Sequence, residues 1–271
     1  MAGRIKVGDI EFHSREAGQG EEILFINGLA ADLTTWSAQF SDLSRDHRVI
    51  LFDNRGTGLS GKADGSLSTG ILADDVAGLL SGLGIPSATL VGHSMGGLIA
   101  QQVALRHPSR VRRLVLAATV SRSPKRGNLS LYLWPEVLEK IGVPAFVDLM
   151  ITQNLSLGYI ERNWRRILFL RQLLVNHLQE VPLDPAALRK YVAAALEHQP
   201  GAELGRIRVP TLVIGGDQDT IVPPHLAAEL AGKIPEARLE IMADAGHNLM
   251  LERPEEFNRL IRTFIQNTSE G

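Results

Sequence analysis

Cysteine is absent from the 271 residues. That excludes disulfides, cysteine nucleophiles and thiolate metal sites together. No run of about 20 apolar residues occurs, so no membrane span is expected. The opening MAGRIKVGDIEFHSREAG lacks the apolar stretch of a signal peptide, and a soluble cytoplasmic protein is the expectation. Basic stripes with interleaved aromatics are missing and the net charge is −2, which gives no electrostatic case for a nucleic-acid partner. Internal repeats and low-complexity segments are missing as well. What is present is globular in composition, 44% hydrophobic and 21% charged. The length suits one large α/β domain or one domain with an insertion.

Short apolar runs alternate with helical patterns. RIKVG, IEFHSRE, ILFIN, RVILFD, ATLVG, RLVLAA, TLVIGG and RLEIMA read as strands. The central ones are nearly continuous Val, Ile and Leu, the mark of strands buried on both faces of a mostly parallel sheet. Helical stretches such as TTWSAQFSDLS, ILADDVAGLLSGLG and LIAQQVALRHP lie between them, so helices are expected on both faces. The first two strands have no helix between them and predict an antiparallel start. From 121 to 205 the strands stop, and PAFVDLMI, YIERNWRRILFLRQLLVNHL and DPAALRKYVAAALEH show helical spacing. This predicts a core of 1–120 and 206–271 with a helical cap inserted at 121–205.

Within that frame GHSMG carries the strongest chemistry. A serine between glycines, with an apolar strand before it and a helix after it, fits a sharp strand-to-helix elbow. Small residues two before and two after Ser94 let the turn close, and the turn lifts the hydroxyl off the sheet beside free helix N–H groups. A plain helix cap is the competing reading of Ser94. A serine hydroxyl needs a base, and His247 follows the last strand in a Gly-His pair. His93 is expected to be structural, since side chains adjacent on an elbow diverge. His13, His47, His107, His177, His198 and His225 sit in helical or surface-like contexts. Two carboxylates follow TLVIGG, Asp217 and Asp219. Either suits a histidine partner, and the other, expected to be Asp217, caps the turn. The glycine loop after ILFIN brings the backbone N–H of Leu29 toward that of Met95, and two such donors make an oxyanion hole.

Taken together, FINGLAADLTTW, ILFDNRGTGLS, LVGHSMGGLIAQQVALRHPSRVRRLVL, PTLVIGGDQDTIVPP and AGHNLMLERPEEF resemble the α/β-hydrolase family, in family order and over nearly the whole chain. The resemblance implies an eight-stranded core, a helical cap and a Ser94–Asp219–His247 triad. It prefers Asp219 because the family acid lies four residues before the proline of a D-x-x-V-P segment, here Pro223. Asp53, Arg55, Gly56 and Gly58 match the family's loop-building pattern. Asn27 stands where the family often has histidine. Ser94 speaks against the dehalogenase and epoxide-hydrolase branches, which use aspartate. Asn248 replaces the tryptophan common in carbon–carbon bond hydrolases of meta-cleavage pathways. NGLAADLTTW and DNRGTGLS are similar to the enol-lactonase and aminoacrylate-hydrolase branches.

These implications point to a serine hydrolase that cleaves a small, largely apolar ester or lactone through an acyl-enzyme, with no metal and no cofactor. Carbon–carbon cleavage, perhydrolysis, cofactor-independent oxygenation and a non-catalytic receptor are the alternatives on the same residues. The pocket is expected between cap and core, with Trp134, Phe146, Met150, Trp164 and Asn248 as substrate contacts. Leu131, Leu133, Phe169 and Leu173 are further apolar cap residues near it. Arg162, Arg166 and Arg165 are expected to share a solvated helix face at spacings of three and four, and binding of a substrate carboxylate by Arg162, Arg165, Arg166 and Arg171 is the competing reading.

Overall fold

The computed structural model describes residues 2–123 and 125–268. Eight strands form one sheet: β1 (Ala2–Val7), β2 (Ile10–Ala17), β3 (Glu22–Ile26), β4 (Arg48–Phe52), β5 (Ala88–His93), β6 (Val111–Ala117), β7 (Thr211–Gly216) and β8 (Arg238–Met242). Their order is β1-β2-β4-β3-β5-β6-β7-β8. β2 pairs antiparallel with β1 and with β4, and every later pairing is parallel. This is the sheet expected from the apolar runs.

Alternation along each strand divides the core. Leu24, Ile26, Ile50, Phe52, Leu90, Leu114 and Leu116 face one side. They bury against α2 (Thr69–Gly82) and α3 (Met95–Arg106). Ile23, Phe25, Val49, Leu51, Val91 and Val115 face the other. The period of two in a strand makes the same apolar run serve both layers. α1 (Ser37–Leu43) and the last helix cover that second face.

Between β6 and β7 the described residues form helices and no strand. These are α4 (Lys125–Lys140), α5 (Val143–Asn154), α6 (Leu157–Arg162), α7 (Trp164–Glu180) and α8 (Pro185–Glu197). α9 (Pro224–Lys233), α10 (Leu249–Glu252) and α11 (Pro254–Asn267) follow. Asp184 caps α8 by accepting from Ala186 N–H, with Pro185 at the first helical position. α4 and α8 bury Trp134, Leu138, Leu188, Tyr191 and Val192 in the same core as α2 and α3. α5, α6 and α7 close a smaller core around Val147, Ile151, Tyr159, Ile167 and Val175.

One helical stretch differs from its pattern. Residues 159–178 are not continuous, because Asn163 leaves the helical region (φ −120°, ψ 24°) and turns its side-chain amide onto the Tyr159 carbonyl, 2.9 Å away. That local bond competes with the backbone ladder. Arg162 therefore ends α6 while Arg165 and Arg166 open α7, so the arginines do not share one helix face. Among the described residues no helix is long and apolar enough to cross a membrane.

Chain order and sheet order diverge at β3 and β5. The chain runs from β3 outward to β4, then returns to lay β5 on the other side of β3. Loops leaving β3 and β5 thus part in opposite directions, and a crevice opens at the carboxyl ends of these strands.

Candidate active site

Ser94 stands in that crevice, between β5 and α3. Its backbone has φ 53° and ψ −115°, a conformation that costs a non-glycine residue roughly 1–3 kcal/mol. The surroundings hold it there. Ser94 N–H donates to the Ala117 carbonyl (2.9 Å), and the Ser94 carbonyl accepts from Gly97 N–H (2.9 Å) and Thr119 Oγ1 (2.8 Å). The side chain makes no capping bond to α3, so the hydroxyl is not spent on the helix. The flanking glycines are required by close approach. A Cβ on Gly92 would lie 2.3 Å from the Gly96 carbonyl oxygen, and one on Gly96 would lie 2.1 Å from that of Ile26. Met95 is the first residue of α3, so its N–H has no acceptor one turn back.

Asp219 and His247 meet from the loops after β7 and β8. Asp219 Oδ2 lies 2.8 Å from His247 Nδ1, and both side chains are buried. Asp219 Oδ1 accepts from Ile221 N–H and Val222 N–H, each at 2.8 Å. Those two donors fix the carboxylate plane, and the carboxylate fixes the imidazole with Nδ1–H toward it. Nε2 is then the free, basic nitrogen. Asp217 instead accepts from Ala245 N–H at 3.3 Å, the turn-bracing position expected of it.

The cavity has two lobes that meet at Ser94. Leu29, Ser94, Leu131, Trp134 and Ile221 line both. The first, about 420 Å³, runs past Met95, Val120, Gln153, Val222 and His225. The second, about 370 Å³, runs past Met150, Leu155, Leu174, His247 and Asn248. Among the described residues no three His, Asp or Glu side chains gather as metal ligands.

A family model described as the alpha/beta hydrolase fold matches residues 22–254. The chain belongs to the α/β-hydrolase family. The RutD protein of Rhizobium rhizogenes strain K84, whose name refers to a carbamate hydrolase, is 30% identical over 263 residues, covering 96% of this chain and 98% of that one. The solved enol-lactonase of Burkholderia xenovorans LB400 superposes with a TM-score of 0.86 at 29% identity, over 97% of this chain and 100% of that one. A thermophilic esterase of Thermogutta terrifontis gives 0.86 at 27% identity, over 99% of both.

Several expected contacts of this hydrolase are corrected. Trp134, Met150 and Asn248 line the cavity, but Phe146 and Trp164 do not. Phe146 is fully buried, edge-on to Trp134 with ring centroids 6.0 Å apart. It supports the wall without forming it. Trp164 is 56% exposed on the outer side of α7, as are Leu133, Phe169 and Leu173 on their helices, because each helix turns its narrow apolar stripe inward. Arg166 alone of the four arginines reaches the second lobe, and Arg171 pairs with Asp148.

Three histidines are also placed otherwise than their contexts suggest. His225 lines the first lobe. His177 on α7 bonds Asp32, in the loop after β3, and lines the second lobe. His198 is buried between Thr69 and Gln101. His93 is structural as expected, yet it touches the site: Nε2–H donates to the His247 carbonyl at 2.9 Å, with the two rings 4.9 Å apart. Burial, then the neighbouring His247 charge, pushes His93 down to about 3, so it acts as a neutral donor. Asn27 replaces the family histidine by donating to the Phe52 carbonyl at 2.6 Å. Asp53 accepts from Leu33 N–H (2.8 Å) and Leu59 N–H (2.9 Å), which braces the glycine loop.

Proposed function

We propose that this protein hydrolyses a carboxylic ester or lactone with apolar groups on both sides of the scissile bond. The observation that carries the reading is one cavity with two mostly apolar lobes, on which both Ser94 and the Asp219-held His247 open. Ser94 Oγ attacks the carbonyl carbon while His247 Nε2 takes the hydroxyl proton. The oxyanion draws on Leu29 N–H and Met95 N–H, each such donor being worth about a hundredfold to a thousandfold in rate. The tetrahedral intermediate then expels the alcohol, protonated by His247. Water, deprotonated by the same nitrogen, attacks the acyl-enzyme and frees Ser94. Asp219 keeps His247 in the reactive tautomer throughout. Acyl and alcohol portions occupy one lobe each.

Carbamate hydrolysis is the second reading, favoured by the similarity to RutD. It runs through the same steps at a carbonyl bearing nitrogen. Two lobes of about 420 and 370 Å³ match the range of drug-sized ligands and exceed what a bare carbamate fills, which supports the ester.

The test is turnover of p-nitrophenyl esters of increasing acyl length, with a lactone and a carbamate panel, by wild type and Ser94→Ala. Wild-type ester or lactone turnover that disappears in folded Ser94→Ala is expected. Turnover surviving in that variant removes Ser94 from the mechanism, and a wild type active only on carbamates replaces the ester reading.

A further inference from the structure

A carboxylate that the reaction above does not use lies behind the catalytic loop. Glu252, at the end of α10, is 8% exposed. Its Oε1 accepts from Gly246 N–H and from Ser156 N–H, each at 3.0 Å. Its Oε2 accepts from Ser156 Oγ at 2.5 Å. Burial pushes the Glu252 carboxyl up, and the Asp219 charge adds to this against the three donors. A buried carboxylate is costly unless such partners are in place.

The partners lie on two segments far apart in sequence. Gly246 directly precedes His247, and Ser156 sits at the α5–α6 junction, where its Oγ also caps α6 by accepting from Tyr159 N–H. A second bond joins the same segments, from Asn248 N–H to the Asn154 carbonyl at 2.9 Å. The fit leaves no slack. A Cβ on residue 246 would lie 2.6 Å from Ser156 N and 2.7 Å from Glu252 Oε1, so the Gly-His pair is glycine because the clip fills that space. Asn154 and Leu155 of the junction also line the second lobe. The wall that meets substrate and the loop that carries His247 are thus joined by the Glu252 side chain and one backbone bond.

We propose that Glu252 is a positioning residue that clips the His247 loop to the α5–α6 junction and so holds Nε2 in line with Ser94. The proposal rests on the reading of His247 as the general base. Misplacing a catalytic group by about 1 Å costs on the order of a hundredfold. Gln at 252 keeps the Oε1 acceptor for both N–H groups and donates to Ser156 Oγ, so it preserves the clip without the charge. Ala removes the clip.

The experiment compares wild type, Glu252→Ala, Glu252→Gln and Glu252→Asp, all checked for folding by circular dichroism. It reads kcat and KM on a p-nitrophenyl ester and the downfield proton resonance of the Asp219–His247 hydrogen bond, assigned by its loss in Asp219→Asn. Glu252→Ala is expected to lower kcat roughly tenfold to a hundredfold with less change in KM, and to shift or broaden the resonance. Glu252→Gln is expected to restore both. A merely structural role would lower thermal stability but leave the resonance and the kcat of the folded fraction unmoved, and that result overturns the proposal. If Glu252→Ala does not fold, Glu252→Asp, whose shorter side chain cannot reach both the Gly246 and Ser156 N–H groups, decides in the same way, a wild-type resonance and kcat counting against the clip. If wild type hydrolyses no ester, the esterase reading fails alone, because the resonance still reports whether Glu252 holds the histidine.

Discussion

Two aspartates two positions apart face different partners, and direction alone separates them. Asp219 is turned in by the N–H groups of Ile221 and Val222 and meets His247, whereas Asp217 faces the backbone of Ala245. Asp219→Asn is expected to lower kcat by about ten-thousandfold, because an amide presents the wrong group to Nδ1. Asp217→Asn is expected to have a far smaller effect, since its bond at 3.3 Å braces only the loop. Equal losses in steady-state assays of the two variants would show that the acid is misassigned. Ser94 and His247 were legible because each sits in a short local pattern. Glu252 and Ser156 were not: Glu252 lies within AGHNLMLERPEEF but nothing local gives it a role, and its contact with Ser156 spans 96 residues.

At the scale of elements, the helices between β6 and β7 illustrate how far periodicity reaches. It located α5, α7 and α8, because an apolar stripe with its opposite polar face is written in spacing alone. It did not say which aromatics point to the cavity, because core and cavity wall use the same residue types. Phe146→Ala is expected to cost about 3–5 kcal/mol in urea unfolding, for it removes a fully buried ring. Trp164→Ala is expected to leave kcat/KM unchanged, because the ring lies outside both lobes. A kcat/KM that fell with Trp164→Ala while Phe146→Ala remained stable would reverse these placements. The break at Asn163 escaped the spacing because a single side-chain bond outweighed a good helical pattern on both sides.

For the whole molecule, two buried histidines link folding to pH. Burial lowers His93 from 6.5 to about 3 and His198 from 6.5 to about 4. Both pKa values are depressed on folding. Their contribution is therefore complete above pH 6.5 and is lost as pH falls, because the unfolded chain takes up protons that the folded chain refuses. Each adds a slope approaching about 1.4 kcal/mol per pH unit between 6.5 and its folded value, about 3 for His93 and about 4 for His198. Urea unfolding at pH 7 and pH 5 is expected to show lower stability at pH 5. His198→Asn, which does not titrate, is expected to reduce that slope by about one proton. A slope unaltered by His198→Asn would mean that this histidine is not held neutral in the fold.

The sheet, its flanking helices and the elbow are written in the order of residues alone. These follow from periods of two and 3.6 and from glycines, all of which act over a few residues. Tertiary structure decided what depends on separate segments meeting. It set His93 and Glu252 against the His247 loop, and turned Trp134 into the cavity and Trp164 out of it. The physical reason is reach: a hydrogen bond or a packed ring is fixed by positions in space, and a local pattern carries no record of which distant residue will stand there.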